Sequence, residues 1–432
     1  MLRRTLVTTG AAMLSLAGLG LPAAADMAPE ITKPVTISFY SYNLATAGQK
    51  NEATMEMLNT FMEQNPLITV EPIGAPSNEI LSRVQADIVA GQQPDVAQLV
   101  FRDLIYAAHD LGAEPLEDLA GDELSEHAQG MVEKGLDLGK VDGKTYGLAY
   151  TFSTPVMFIN DDIFRAAGLD PTHPPRTWAE VKEAGMAIQQ KTDYYGFFPG
   201  AFGPIDGTFV YQSIVMSNGG MVRDGNTLTF ADGDAADAVA MLRDLRDSGA
   251  YADIDVASHM DTFAAGKLGM FLFTSAVQNS FSAAADGKFE ISVTQMPSFG
   301  DKPTAPTNSG SALFILSKDP VKQRAAWELM KFLTSKYAYT QITSKIGYLP
   351  LRLDIVDDPE YLKPWVDAHP LIRPNLEQLT RLTPNVAFAG PNYRQVENMM
   401  KDAATEAVLG DGDPYEVLRA AQDQAQKLMP SD

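Results

Sequence analysis

Strand-like and helix-like segments alternate over the first hundred residues, and this alternation constrains the fold more than any other feature. Residues 35–40 mix β-branched and aromatic side chains in the manner of a strand. Residues 49–64 space apolar side chains three and four positions apart, which predicts a helix. A strand over 68–73, a helix over 78–90 and a strand over 94–99 follow. This order predicts an α/β protein with a parallel sheet.

The ends of these predicted strands carry polar and aromatic side chains. In an open parallel sheet, ligands bind beyond the carboxyl ends of the strands. Residues 41–43, 74–78 and 98–103 occupy such ends. They supply the first candidate ligand-binding residues, which are Tyr42, Asn43, Ser77, Gln98, Phe101, Arg102 and Asp103. Loop residues without any role in binding would give the same pattern at any single position.

A small polar segment that leads into an apolar run occurs twice further along the chain, at residues 151–159 and 307–316, and 347–351 has a related pattern. Three such segments suggest three strands that cross between two lobes. We therefore predict a two-lobed α/β fold, each lobe a mainly parallel sheet flanked by helices, with three interdomain crossings. The predicted boundaries are 26–152 plus 308–347 for the first lobe and 153–307 plus 348–432 for the second.

The amino terminus has the character of a secretory signal peptide over residues 1–25. Arg3 and Arg4 precede an uncharged apolar stretch, and small residues end at Ala25. The arginine pair is compatible with export of the folded protein, as an alternative to the usual export of an unfolded chain. We expect a periplasmic protein, cleaved near Ala25. The remaining chain of about 400 residues is longer than one hydrophobic core usually organises, which favours two domains.

Composition excludes several classes of protein. The chain has no cysteine, so its stability must come from burial and not from disulfides. Its formal net charge is −22, and removal of residues 1–25, which hold two arginines and no acid, takes it to −24. Such a surface repels nucleic acid and anionic lipid. We therefore expect no nucleic-acid partner. The acidity is better explained by a need for solubility than by a specific cationic partner.

Catalytic and metal-binding motifs are not apparent. The five histidines are dispersed and form no zinc-binding spacing. The chain has no glycine-rich phosphate loop with its lysine, and residues 309–311 lack the pattern of a nucleophile elbow. We expect no cofactor, no metal and no enzyme activity. A secreted polysaccharide hydrolase remains the rival class, because paired carboxylates cannot be recognised from spacing alone.

Several segments together resemble family 1 extracellular solute-binding proteins of ABC importers, the group that includes maltose-binding protein. They are QPDV at 93–96, STPVMFIN at 153–160, AGLD at 167–170, PPRTW at 174–178 and GYLP at 347–350. The block from 153 to 178 is the most specific part. It is most similar to the glycerol-phosphate and glycerophosphodiester branch of the family. The resemblance implies the two-lobed fold and capture of a solute for a permease.

The match to ligand-contacting positions of that branch is partial. Ser153, Gly310 and Tyr348 match such positions, and Thr274 stands where a serine is usual. Phe101 replaces an acidic residue and Ser77 replaces a tyrosine. Arg394 lies near the position of an expected arginine but not in register with it. These departures put a phosphate ligand in doubt more than they affect the fold.

The resulting hypothesis is a receptor for a sugar, glycoside or polyol. Amide and carboxylate side chains suit hydroxyl groups, and aromatic faces suit the apolar faces of sugar rings. Phe202 comes from an aromatic, glycine-rich segment with the character of a site loop. Because of Arg102, an anionic ligand remains the alternative hypothesis, such as glycerol 3-phosphate, a glycerophosphodiester or a sulfonated sugar. We expect ABC importer permease subunits as partners and a monomeric chain. An adhesion or assembly module without a cleft is a third, weaker alternative.

Overall fold

The computed structural model describes residues 27–202 and 207–431. The predicted signal peptide therefore lies outside the described residues. Within the described part of the chain, every helix is too short or too polar to cross a lipid bilayer.

Two separate sheets organise the chain. The first contains five strands in the order β2-β1-β3-β13-β6, and the second contains four in the order β12-β7-β11-β8. Two further two-stranded ribbons pair β4 with β5 and β9 with β10. The strands are β1 Val35–Ser41, β2 Ile68–Gly74, β3 Val96–Val100, β4 Lys140–Val141, β5 Lys144–Thr145, β6 Gly147–Ser153, β7 Pro155–Asn160, β8 Tyr195–Pro199, β9 Arg223–Asp224, β10 Thr227–Leu228, β11 Leu268–Thr274, β12 Ile291–Gln295 and β13 Ser309–Ile315.

Helices cover both sheets. The α-helices are α1 Gln49–Gln64, α2 Ile80–Val89, α3 Leu104–His109, α4 Leu116–Ala120, α5 Asp122–His127, α6 Asp161–Ala166, α7 Trp178–Lys191, α8 Thr208–Ser217, α9 Gly233–Asp247, α10 His259–Ala264, α11 Gln278–Ala285, α12 Pro320–Leu333, α13 Lys336–Gln341, α14 Lys363–Ala368, α15 Arg373–Gln378, α16 Tyr393–Leu409 and α17 Pro414–Ala425. Several begin at side-chain caps that the sequence encodes. Thr177 and Glu180 form a capping box on α7, and Asp319 caps α12 ahead of a proline in its first turn.

The prediction of a two-lobed α/β fold is confirmed, with one strand of each sheet reversed. In the first sheet β1 runs parallel to β2 and β3, whereas β13 runs antiparallel to β3 and β6. In the second sheet β7 runs antiparallel to β11 and β12. Both reversed strands enter from the opposite sheet. Such a strand starts at the edge where its neighbours end, so it must run against them.

We name the five-stranded sheet and the helices packed on it the first lobe, and the four-stranded sheet and its helices the second lobe. The chain passes from the first to the second at Thr154, between β6 and β7, and returns between β12 and β13. The core of each lobe is apolar. In the second lobe, Phe158, Phe263, Phe271 and Phe281 form a ring cluster with centroids 4.8–6.0 Å apart.

The prediction of a third crossing strand at 347–351 is wrong. Only an isolated antiparallel bridge joins Leu349 to Phe152, and no strand forms among these residues. Gly347 has a φ of 93°, which breaks an extended backbone, and Pro350 has no N–H to donate to a ladder. The chain remains against the first lobe beyond this point, since Asp354 pairs with Lys336 at 2.8 Å.

One stability prediction follows from the contact between α5 and α12. Burial, and then the charges of Arg352 and Lys331, lower the pKa of His127 from 6.5 to about 4. The unfolded chain therefore binds a proton that the folded chain rejects, and folding stability falls as the pH drops from about 6.5 to 4. We expect His127→Gln to remove about 1–3 kcal/mol of this loss.

Urea denaturation between pH 7 and 4 measures the effect. His173→Gln is the matched control, because the His173 side chain is 84% exposed and contacts a residue of its own turn. Equal pH slopes for wild type and His127→Gln would contradict the assignment.

Candidate functional site

A cavity of about 320 Å³ lies where the edges of the two sheets meet. The first sheet contributes the segments that follow β1 and β3, the end of β6 and the start of β13. The second lobe contributes the end of β11 and residues of α8 and α16. The lining residues are Tyr42, Lys50, Ser77, Val100, Phe101, Arg102, Ser153, Thr208, Phe209, Met260, Phe273, Thr274, Ala276, Val277, Asn308, Ser309, Gly310, Tyr348, Asn385 and Glu397.

Most of the predicted site residues come together here. Those that line the cavity are Tyr42, Ser77, Phe101, Arg102, Ser153, Thr274, Gly310 and Tyr348. Those that do not are Asn43, Gln98, Asp103, Phe202 and Arg394. The two groups differ because sequence position shows which strand end a residue occupies, but not which way its side chain faces.

Gln98 lies beneath the cavity, where it supports Tyr42. It is fully buried, and its Nε2 donates to Thr151 at 3.1 Å and to Ser311 at 2.8 Å. The Tyr42 hydroxyl hydrogen-bonds to the same two hydroxyls, at 2.8 Å from Thr151 and 3.0 Å from Ser311. Ser41 also donates to the Gln98 carbonyl oxygen. This network joins four strands of the first sheet and fixes the Tyr42 ring at the cavity.

Tyr348 forms a second aromatic surface beside Tyr42. Burial, together with the neighbouring Tyr42 hydroxyl, raises the pKa of Tyr348 well above its usual value, so the hydroxyl stays protonated at every physiological pH. The Lys50 ammonium lies 5.5 Å from the centre of its ring. Gly347, the residue before Tyr348, has a left-handed φ of 93°, a conformation that favours glycine.

The crossing strands contribute small polar groups. The Thr274 hydroxyl donates to Ser153 at 2.7 Å, which ties the end of β11 to the end of β6. Gly310 has a φ of 111°, and a Cβ at this position would lie 2.0 Å from the carbonyl oxygen of Thr151. Only glycine fits there, so Gly310 brings backbone and no side chain to the cavity wall.

The second lobe contributes residues that the sequence did not single out, above all Glu397. Its side chain lies on the buried face of α16, is 7% exposed and accepts a hydrogen bond from Thr208 at 3.0 Å. A carboxylate among the buried positions Tyr393, Val396 and Met400 of an amphipathic helix was the available signal. Asn308 and Asn385 also line the cavity, and the backbone N–H of Asn385 donates to the side-chain Oδ1 of Asn308 at 2.8 Å.

The remaining predicted residues make their contacts outside the cavity. Asn43 is buried within the first lobe, beside Tyr150, and Phe202 is buried in the second. Asp103 and Arg394 bind each other: the Arg394 guanidinium lies 3.0 and 3.1 Å from the two carboxylate oxygens. The Tyr393 hydroxyl donates to Asp103 at 2.5 Å. These residues therefore connect the lobes next to the cavity but do not line it.

The cavity combines hydroxyl and amide groups with aromatic faces and with a mixed set of charges. Lys50 and Arg102 contribute basic groups and Glu397 contributes a carboxyl group. In the described part of the chain, no group of three or more histidine, aspartate or glutamate side chains is placed to hold a metal ion. The arrangement suits reversible binding of a small polar molecule by residues from both lobes.

A two-lobed fold with such a cavity between the lobes defines a solute-binding protein, and similarity to known proteins gives the same class. Residues 56–372 match the family described as bacterial extracellular solute-binding protein, and the chain belongs to that family. A chain of Brucella abortus (strain 2308), named only as a binding protein, is 27% identical over 96% of this chain and 97% of its own length.

Other similar proteins have named ligands. The sn-glycerol-3-phosphate-binding periplasmic protein of Pectobacterium atrosepticum is 27% identical over 47% of each chain. The cyclic α-maltosyl-1,6-maltose binding protein of Arthrobacter globiformis superposes with a TM-score of 0.79, at 22% identity over 91% of this chain and 99% of that one. The UgpB protein of Mycobacterium tuberculosis, solved with glycerophosphocholine, gives 0.77, at 21% identity over 91% and 98%. These structural likenesses establish the fold.

The position of Gln98 leads to a prediction about stability. Gln98→Ala removes the partner of Ser41, Thr151 and Ser311, so buried hydroxyls lose hydrogen bonds. We expect the ligand-free protein to lose about 2–4 kcal/mol of unfolding free energy, measured by urea denaturation. Ser77→Ala, an exposed change at the cavity wall, serves as control and should change stability by less than about 0.5 kcal/mol. Unchanged stability of Gln98→Ala would show that the network does not support the fold.

Proposed function

We propose that this protein captures a sugar, glycoside or polyol in the periplasm and delivers it to the permease of an ABC importer. One observation carries the proposal: both lobes line a single cavity with hydroxyl, amide and aromatic groups. Ser77, Ser153 and Asn308 offer hydrogen bonds to ligand hydroxyls, and Tyr42 and Tyr348 offer flat apolar surfaces. A ligand that contacts both lobes favours the arrangement in which they are close together.

Glu397 favours a neutral ligand over an anion. Its carboxyl group is almost fully buried at the cavity wall and accepts a hydrogen bond from Thr208 at 3.0 Å, and in its ionised form it would disfavour a phosphate or sulfonate placed beside it. A hydroxyl group, in contrast, can donate a hydrogen bond to the carboxylate, and such charge-assisted bonds are stronger than neutral ones.

An anionic ligand is the second candidate, supported by two residues. Arg102 and Lys50 both line the cavity, on the side of the first lobe. Glycerol 3-phosphate, a glycerophosphodiester or a sulfonated sugar could place its anionic group there, away from Glu397. Relatives named for sn-glycerol 3-phosphate and a neighbour solved with glycerophosphocholine give this candidate further support.

The proposed mechanism is hinge closure of a monomeric receptor without chemical turnover. The lobes are joined by the single residue Thr154 between β6 and β7 and by residues 296–308 between β12 and β13, so small backbone rotations at these two passages would change the opening of the cavity. The closed form would then dock on the permease. The named binding functions of the relatives support a receptor in preference to a hydrolase.

A thermal-shift panel tests the ligand class. The probes are maltose, glycerol, sn-glycerol 3-phosphate, glycerophosphocholine and a 6-sulfonated glucose, each added to the purified chain. We expect a neutral sugar to raise the melting temperature and the two phosphate compounds to leave it unchanged. Mass spectrometry should recover the bound sugar unmodified. Stabilisation by the phosphates alone would favour the anionic candidate, and a hydrolysed product would contradict the receptor.

Tyr348→Ala tests the site itself. Loss of an aromatic face at the cavity should weaken binding of the stabilising sugar about tenfold, measured by calorimetry at a temperature where both ligand-free proteins are folded. Tyr194→Ala is the matched control, since Tyr194 is 41% exposed and lies outside the cavity. Equal affinity in wild type and Tyr348→Ala would remove Tyr348 from the proposed site.

A further inference from the structure

The two lobes touch through a compact set of side chains next to the cavity. Asp103 belongs to the turn after β3 in the first lobe, and Tyr393 and Arg394 begin α16 in the second. Tyr393 donates to the Asp103 carboxylate at 2.5 Å, and the Arg394 guanidinium lies 3.0 and 3.1 Å from its oxygens. The Tyr106 ring stacks on Tyr393 with centroids 5.7 Å apart and an angle of 25°. We name Asp103, Tyr106, Tyr393 and Arg394 the interlobe clasp.

The clasp joins the two walls of the cavity. Asp103 directly follows Phe101 and Arg102, which line the cavity from the first lobe. Arg394 lies about one helical turn before Glu397, which lines it from the second lobe. If the lobes separated at this point, the cavity would widen and the clasp would break at the same time.

The charges in the clasp depend on each other. Asp103 is 0% exposed while the lobes touch, so its carboxylate is shielded from solvent. It therefore depends on hydrogen bonds from Tyr393 and Arg394 of the second lobe. The Arg394 side chain is 36% exposed and keeps part of its hydration. A pair of this kind gains attraction on closure but also loses solvation, so its net effect is a modest preference for the closed arrangement and not a permanent lock.

We propose that Asp103, Tyr393 and Arg394 are positioning residues that set ligand affinity by stabilising lobe closure, without contact with the ligand. The apparent affinity equals the intrinsic affinity multiplied by the fraction of protein in the binding-competent form. Residues that raise the closed fraction therefore tighten binding from outside the cavity. The inference rests on the proposed solute capture, but the clasp can be tested on the ligand-free protein.

Distance measurement between two spin labels tests the clasp. The chain has no cysteine, so Asp110→Cys and Gln395→Cys place labels at exposed positions on either side of the clasp. In this background, Arg394→Met should lower the ratio of closed to open protein about tenfold, because Asp103 loses its cationic partner. Asp103→Asn should act in the same direction. Tyr393→Phe removes one hydroxyl and should give a smaller shift while it keeps the helix packing.

Controls separate closure from general destabilisation. Arg165→Met breaks ion pairs to Asp162 and Glu290 within the second lobe and should leave the distances unchanged. Addition of Asp103→Asn to Arg394→Met should cause little further opening, since the two residues form one pair. Identical distance distributions in wild type, Arg394→Met and Tyr393→Phe would overturn the inference.

Binding kinetics then link the clasp to affinity. With maltose as probe, Arg394→Met should raise the dissociation rate about tenfold or lower the apparent affinity by that factor. Opening of the lobes without any change in maltose affinity would overturn the proposed effect on binding. If wild type binds none of the five panel solutes, the proposed ligand class fails, while the label distances still decide whether the clasp holds the lobes together.

Discussion

The cavity depends on one topological constraint, which is that each sheet contains a strand entering from the opposite lobe. Only Thr154 separates β6 from β7, and residues 296–308 lead back from β12 to β13. These two connections hold the ends of the remaining strands face to face. Because the carboxyl ends of parallel strands leave backbone groups and loops at one edge, two such edges opposite each other form a polar cleft.

Buried polar groups give this cleft its shape. Beneath Tyr42, the side chains of Gln98, Thr151 and Ser311 bond to one another at distances of 2.6–3.1 Å. A network in which each member has partners is rigid, because any movement leaves a buried group unsatisfied. The aromatic surface that Tyr42 presents to the cavity is therefore positioned from below by residues that do not line the cavity. The same tyrosine belongs to the buried polar network of the first lobe and to the cavity wall.

Charge is distributed unevenly around the cleft. Cationic side chains belong to the first lobe and the buried carboxylate of Glu397 to the second, while Asp103 and Arg394 neutralise each other beside it. The cleft thus differs from the surface of the chain, which carries a strong net negative charge. The fold alone does not choose between a neutral sugar and a phosphate, since proteins of this fold bind both kinds of molecule.

The sequence by itself determined the α/β class, the two lobes, most strands and helices of the first lobe, and eight residues at the cavity wall. These follow from local rules: side-chain periods of two and about 3.6, helix caps, and the rule that strand ends form sites. Only the tertiary structure decided the roles of Gln98, Asp103, Arg394 and Glu397. Asp103 and Arg394 are 291 positions apart in the chain, so no local pattern could pair them. Side-chain direction and partner choice depend on packing between distant segments, which is why the sequence predicted part of the cavity wall and missed the rest.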